Sequence, residues 1–254
     1  MCGRYTLVTD LKLLAEHFGF AADEMRAAGA DNVRPRYNIA PSQDAAVVIA
    51  PADSQKPALP GDEMTVLVGP ERRLVMMRWG LVPAWAKDEK IGDKMINARA
   101  ETVAEKPSFK NALKSRRCLI PADGFYEWTQ TSYGRKAPIR FTMKDGRPFA
   151  MAGLYETWKR PEGDVLFSFT IITTEANEVL RPYHHRMPVI IPPERYALWL
   201  DTNVTDTEKL QKMLLPYPAD EMRGYKVSSA VNSPRNDVPE CIEEKPDERG
   251  DGRA

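Results

Sequence analysis

The spacing of apolar and polar positions changes character along this chain. Leu11, Leu14, Ala15 and Phe18 recur at helical intervals and stop at Gly19. This predicts a short amphipathic helix over 11–18, opened by Thr9 or Asp10. Further short helices are predicted over 108–114 with Ser108 as cap, over 175–180, over 194–200, and over 207–214 behind Asp206. The other apolar runs are short and rich in branched and aromatic residues. They predict strands over 44–50, 64–68, 74–79, 118–120, 125–129, 139–143, 149–155, 166–173, 188–191 and 225–228. Residues 51–63 read as a Pro-rich loop, and Asp145-Gly146 reads as a hairpin turn joining its two flanking strands. Strands outnumber helices and follow one another. The expected class is therefore α+β with mostly antiparallel pairing.

Composition sharpens this picture in three places. The 21 prolines among 254 residues favour many short elements over a helical bundle. The three cysteines, Cys2, Cys118 and Cys241, are too few and too scattered for a disulfide framework or a CxxC metal pattern. No apolar run reaches the roughly 18 residues of a membrane span, and Asp10, Lys12 and Glu16 interrupt any signal core. A cytoplasmic protein is expected, monomeric, with no metal and no cofactor.

The formal charge is zero, with 36 bases and 36 acids. That zero hides an asymmetry. Residues 236–254 hold seven acids and three bases, a net of −4, which leaves +4 on the remainder. One domain over 1–236 is expected, followed by an acidic, disordered tail over 237–254. The charge balance excludes a bulk polycation but not a DNA-binding protein with a few placed cations.

Several stretches offer chemistry. Cys2 directly follows the initiator Met1, and so small a side chain permits removal of that Met. The exposed amine and thiol would then stand on adjacent carbons. With ordinary pKa values of about 8 and 8.5, both are partly nucleophilic at neutral pH. Together they could condense with an aldehyde to a thiazolidine ring, or the thiol could attack an acyl carbon; a Cys with no role is the plainer alternative. In 97–101, Asn97, Arg99 and Glu101 alternate and would share one face of an extended segment. Glu127 lies in the aromatic stretch Phe125-Tyr126-Glu127-Trp128, either desolvated for acid–base work or simply facing outward. His184-His185-Arg186 could supply an acid–base and an anion clamp, or a plain surface loop. Lys106, Lys110, Lys114, Arg116 and Arg117 form an acid-free basic run suited to phosphates or to a solvated face. Trp79 suits the core; Trp85 suits the core or a stacked base.

Taken together, the motifs resemble one family. They are Met1-Cys2-Gly3-Arg4-Tyr5, 36–41 (RYNIAP), 78–83 (RWGLVP), 97–102 (NARAET), 118–128 (CLIPADGFYEW), 184–188 (HHRMP) and Val231-Asn232. This ordered set is similar to the SRAP family, the SOS response-associated peptidases, now described as abasic-site processing proteins. The resemblance implies a bifurcated, mostly antiparallel, partly barrel-like sheet surrounded by short helices. It implies a protein that binds single-stranded DNA at an abasic site and forms a thiazolidine cross-link through Cys2. It assigns Cys2, Asn97, Glu127 and His184 to catalysis: Asn97 senses the site, Glu127 lies beside the amine, and His184 assists opening of the sugar ring. Arg4, Arg99, Thr173 and Arg186 match phosphate-contacting positions, and Asn38 and Pro41 match a DNA-facing loop. Trp85 matches a stacking residue, but some relatives carry a second Trp where this chain has Ala86. Two other functions remain open at this point: a cysteine-dependent peptidase or amidohydrolase, and a non-covalent single-strand binder.

Overall fold

A computed structural model of the chain describes residues 2–20, 34–50, 67–68, 72–130 and 136–246. The first helix, α1 (Leu11–Phe18), has the predicted bounds because both ends are chemically marked. The Asp10 carboxylate accepts from the Lys12 N–H, and Gly19 closes the helix at φ 70°, where glycine carries no steric penalty.

Five strands close a barrel. They are β3 (Asp44–Ile49), β5 (Arg73–Trp79), β7 (Arg117–Ala122), β10 (Phe149–Lys159) and β11 (Val165–Glu175). Neighbours run antiparallel except β11 and β5, which close the ring in parallel through Ser168–Arg78 and Phe169–Trp79. The two-residue strand β4 (Leu67–Val68) extends this sheet beside β5. The core fills with β-branched and aromatic side chains; Trp79, Phe169, Val47 and Leu119 are all fully buried.

A second sheet holds β1 (Tyr5–Leu7), β2 (Arg36–Ile39), β8 (Gly124–Gln130), β9 (Lys136–Met143) and β14 (Met222–Lys226), in the order β14-β9-β8-β1-β2. Its pairings are antiparallel. The sheet forks at Asp123, the single residue between β7 in the barrel and β8 in the second sheet. The buried Asp123 carboxylate accepts from Thr6 Oγ1, the Val8 and Thr9 backbone N–H groups, and Arg140 Nη2. Gly124 is needed beside it, because a Cβ there would sit 2.6 Å from Arg140 Nε. The α+β class and the forked, barrel-like sheet thus agree with the sequence reading.

Several local expectations change. Asp145-Gly146 does form a turn, with Gly146 at φ 75°. It is not a hairpin, however, since β9 and β10 belong to different sheets. No helix spans 175–180. Strand β11 runs on to Glu175, and Asn177 then organises turns by accepting from the Leu180 N–H through Oδ1. The strand expected over 188–191 is two: β12 (Arg186–Pro188) pairs with β11, and β13 (Ile190–Ile191) pairs with β10. Helix α2 (Lys110–Ser115) begins after Ser108, with no side-chain cap. Helices α3 (Tyr196–Leu200) and α4 (Thr207–Gln211) are shorter than predicted, and Asp206 does cap α4. The loop read over 51–63 and most of the strand over 64–68 fall outside the described residues.

The reading of 237 onward as disordered fails as far as residue 246. Asp237 accepts from Arg36 Nε and from the Tyr37 and Asn38 backbone N–H groups, and Cys241 is buried. An acid counted as tail charge is instead the partner of the half-buried Arg36.

Candidate active site

The chain start is folded into the molecule. Cys2 precedes β1 and is fully buried, and its carbonyl accepts from Asn97 Nδ2 at 2.9 Å. Asn97 opens β6 (Asn97–Arg99), which lies parallel to β11 with Asn97 opposite Ile171. Its Oδ1 is buried and has no hydrogen-bond partner among the described residues.

Glu127 sits in the middle of β8 at 4% exposure, which decides against an outward-facing side chain. Burial raises its carboxyl above the usual glutamate range, and the positive charge at the chain's amino terminus opposes this in part. The Cys2 thiol is raised as well, first by burial and then by the negative charge of Glu127. His184 precedes β12, half-buried, with its ring stacked 4.4 Å from that of His185. Burial lowers its pKa, followed by the amino-terminal charge and His185, so the ring is neutral near pH 7. The Arg186 backbone N–H donates to His184 Nδ1 at 2.9 Å.

Glu127 and His184 line one open cleft of about 480 Å³ with Arg4, Trp128, Lys136 and Asn232. Arg4 Nη1 donates to Asn38 Oδ1 and to the Val231 carbonyl, and its guanidinium lies 5.8 Å from the Trp128 ring centroid. Trp128 Nε1 donates to Asn232 Oδ1 at 2.7 Å. Cys2, Asn97, Glu127 and His184, widely spaced in sequence, therefore converge at one place.

The residues expected to meet DNA divide. Arg4 lines the cleft, Arg99 is exposed at the end of β6, and Trp85 is 58% exposed. Pro41 is half-buried in the turn between β2 and β3. The other three do not face outward. Asn38 is fully buried, and its amide donates to the carbonyls of Val231, Ser233 and Asn236. Thr173 is fully buried in β11. Arg186 is 9% exposed and committed to Glu101 and Thr173. Burial and existing bonds set Thr173 and Arg186 apart from a phosphate-contacting reading, and Asn38 apart from that of a DNA-facing loop residue.

The basic run is also less than it looked. Lys106, Lys110 and Lys114 are exposed, but Arg116 pairs with Glu156 at 2.8 Å. Arg117 is buried and donates to the carbonyls of Leu113, Trp199 and Asp201. Lys136 and Asn232 were missed as site residues. Asn232 had a signal in the Val231-Asn232 motif. Lys136 had one only in the register of β8 against β9, which sets it opposite Gln130. Among the described residues, no group of three or more His, Cys, Asp or Glu is placed to hold a metal ion, and no helix is long and apolar enough to cross a membrane.

The fold and the cleft define an α+β barrel-and-sheet protein whose first residues form part of its own candidate site. The family model described as SOS response associated peptidase (SRAP) matches residues 1–234. The chain belongs to the SRAP family. The abasic site processing protein YoqW of Bacillus subtilis is 47% identical over 243 residues, covering 96% of this chain and 99% of that protein. The abasic site processing protein HMCES of Gallus gallus is 35% identical, covering 82% of this chain and 66% of that protein. Among solved structures, a Bacteroides thetaiotaomicron protein superposes with a TM-score of 0.78 at 24% identity, over 96% of this chain and all of that one. That likeness speaks to the fold.

Proposed function

We propose that this chain processes abasic sites in single-stranded DNA by bonding covalently to the sugar through Cys2, once Met1 has been removed. The observation that carries this reading is the convergence of Asn97, Glu127 and His184 on the chain start. The names of the relatives support the substrate.

An abasic deoxyribose exchanges between a closed hemiacetal and an open aldehyde. His184 Nδ1 already accepts a backbone N–H, so the neutral ring carries its proton on Nε2. It donates that proton to the ring oxygen as the C1′–O bond breaks, and regains the proton that the C1′ hydroxyl gives up through solvent. The neutral Cys2 amine adds to the aldehyde carbon. Glu127, whose burial lets it keep a proton at higher pH than an ordinary glutamate, protonates the departing water. The Cys2 thiol then adds to the iminium carbon, and its proton returns to the Glu127 carboxylate. The five-membered ring that results hides the aldehyde from β-elimination.

A purely electrostatic binder is disfavoured by the loss of Arg116 and Arg117 to internal contacts.

The test is a denaturing gel of the protein with single-stranded DNA, abasic or intact. A shifted band with the abasic strand alone is expected. Its rate should fall on the acid side as the amine protonates and on the alkaline side as Glu127 ionises. No shifted band, or equal bands from both strands, would overturn the proposal.

A further inference from the structure

Strand β11 ends between two short strands, one that carries Asn97 and one that begins two residues past His184. On one edge lies β6, with Ile171, Ile172 and Thr173 opposite Asn97, Ala98 and Arg99. On the other lies β12, with Thr173, Thr174 and Glu175 opposite Pro188, Met187 and Arg186. β6 brings Asn97 to the Cys2 carbonyl, and the start of β12 brings the Arg186 N–H to His184 Nδ1. Nothing in the backbone pairing joins β6 to β12 directly.

One ion pair does. Glu101, two residues past β6, takes both terminal nitrogens of Arg186, with Nη1–Oε1 at 2.6 Å and Nη2–Oε2 at 3.0 Å. Arg186 Nη2 also donates to the Thr173 carbonyl, which the Ala100 N–H reaches from the other side at 2.9 Å. The Arg186 side chain is thus held at three points, and both its terminal nitrogens are used. A bidentate, charge-assisted pair with one partner this deeply placed has geometric precision that a single exposed contact lacks.

We propose that Glu101 is a positioning residue for His184. It fixes the Arg186 side chain, and through Arg186 it fixes the backbone N–H that holds Nδ1 as an acceptor and leaves the ring proton on Nε2. The same tie keeps β6, and so Asn97, in step with β12. Arg186 acts here as a strut and not as a clamp for a DNA phosphate. The part of the argument that concerns cross-linking rests on the proposed function; the part that concerns the His184 ring does not.

Two readouts on Glu101→Gln, Glu101→Ala and Glu101→Asp test it. The first is nitrogen-15 NMR of the His184 ring without DNA. Wild type and Glu101→Asp should show one tautomer with the proton on Nε2, and Glu101→Ala should show a mixture. The second compares cross-linking rate with affinity for an intact single strand. Glu101→Gln and Glu101→Ala should lose roughly ten- to a hundredfold in rate, the scale of a small misplacement of reacting groups, at unchanged affinity. Glu101→Asp should recover most of the rate. An unchanged tautomer in Glu101→Ala would overturn the proposal. So would tighter binding of intact strands by Glu101→Ala at an unchanged rate, because Arg186 would then be a phosphate clamp that Glu101 had masked. If wild type forms no cross-link but the tautomer still follows Glu101, the proposed function fails and the positioning role stands.

Discussion

Cys2→Ala is expected to abolish the heat-stable DNA adduct completely while the protein stays folded. The side chain is fully buried, so losing the sulfur costs packing of about 1–2 kcal/mol, too little to unfold a domain of this size. The variant keeps its α-amine, however. That amine can still condense with the aldehyde, and only ring closure by sulfur is lost. Borohydride added during the reaction should therefore trap a band with Cys2→Ala and with Cys2→Ser, while neither variant gives a stable band without it. The measurement is a denaturing gel run with and without the reductant. A stable, unreduced band from Cys2→Ala would remove the thiol from the chemistry.

The largest stability effect is expected at Asp123. Asp123→Ala leaves the Arg140 guanidinium buried without its carboxylate, and strips the Val8 and Thr9 N–H groups of their acceptor. Breaking a buried pair by removing one partner costs about 3–5 kcal/mol, a large share of the 5–15 kcal/mol by which a domain is usually stable. The denaturant midpoint should fall accordingly. The location makes this more than a general weakening. Asp123 is the fork between barrel and second sheet, and Glu127 hangs four residues along β8. Asp123→Asn should recover part of the loss, because an amide oxygen still accepts from the backbone. A midpoint unchanged in Asp123→Ala would show that the fork is held by strand pairing alone.

How much was legible beforehand depends on how local each signal is. Helix α1 was legible to the residue because Asp10 and Gly19 act on their immediate neighbours. The long strands β10 and β11 were legible from their apolar runs. The candidate set Cys2, Asn97, Glu127 and His184 was legible only through the resemblance of the ordered motifs to one family, since each residue taken singly left a plainer role open. What failed was non-local. The Asp145-Gly146 pair makes a turn by its own backbone preference, but which strand then pairs with which is decided by partners far along the chain. Burial was the other blind spot. Asn38, Thr173 and Arg186 look like surface polar groups, and it takes the partners Val231, Ala98 and Glu101 to make them internal. Asp237 shows the same failure at the level of net charge, since a count cannot reveal that an acid is paired with Arg36.

The separation of charge into a basic body and an acidic end matters less than the count suggested. At least one of the acids belongs to the folded body, and the site reads as a small number of placed groups instead of a broad positive field. A covalent bond to one sugar needs orientation more than bulk attraction.

The most direct test is peptide mapping by mass spectrometry of the adduct with an abasic single strand, after digestion of protein and DNA. The account predicts a sugar remnant on the peptide that begins at Cys2, with Met1 absent, the amine and thiol of Cys2 both blocked, and no reducible imine. A remnant on Lys136 or any other side chain, or on a peptide that still begins with Met1, would contradict it.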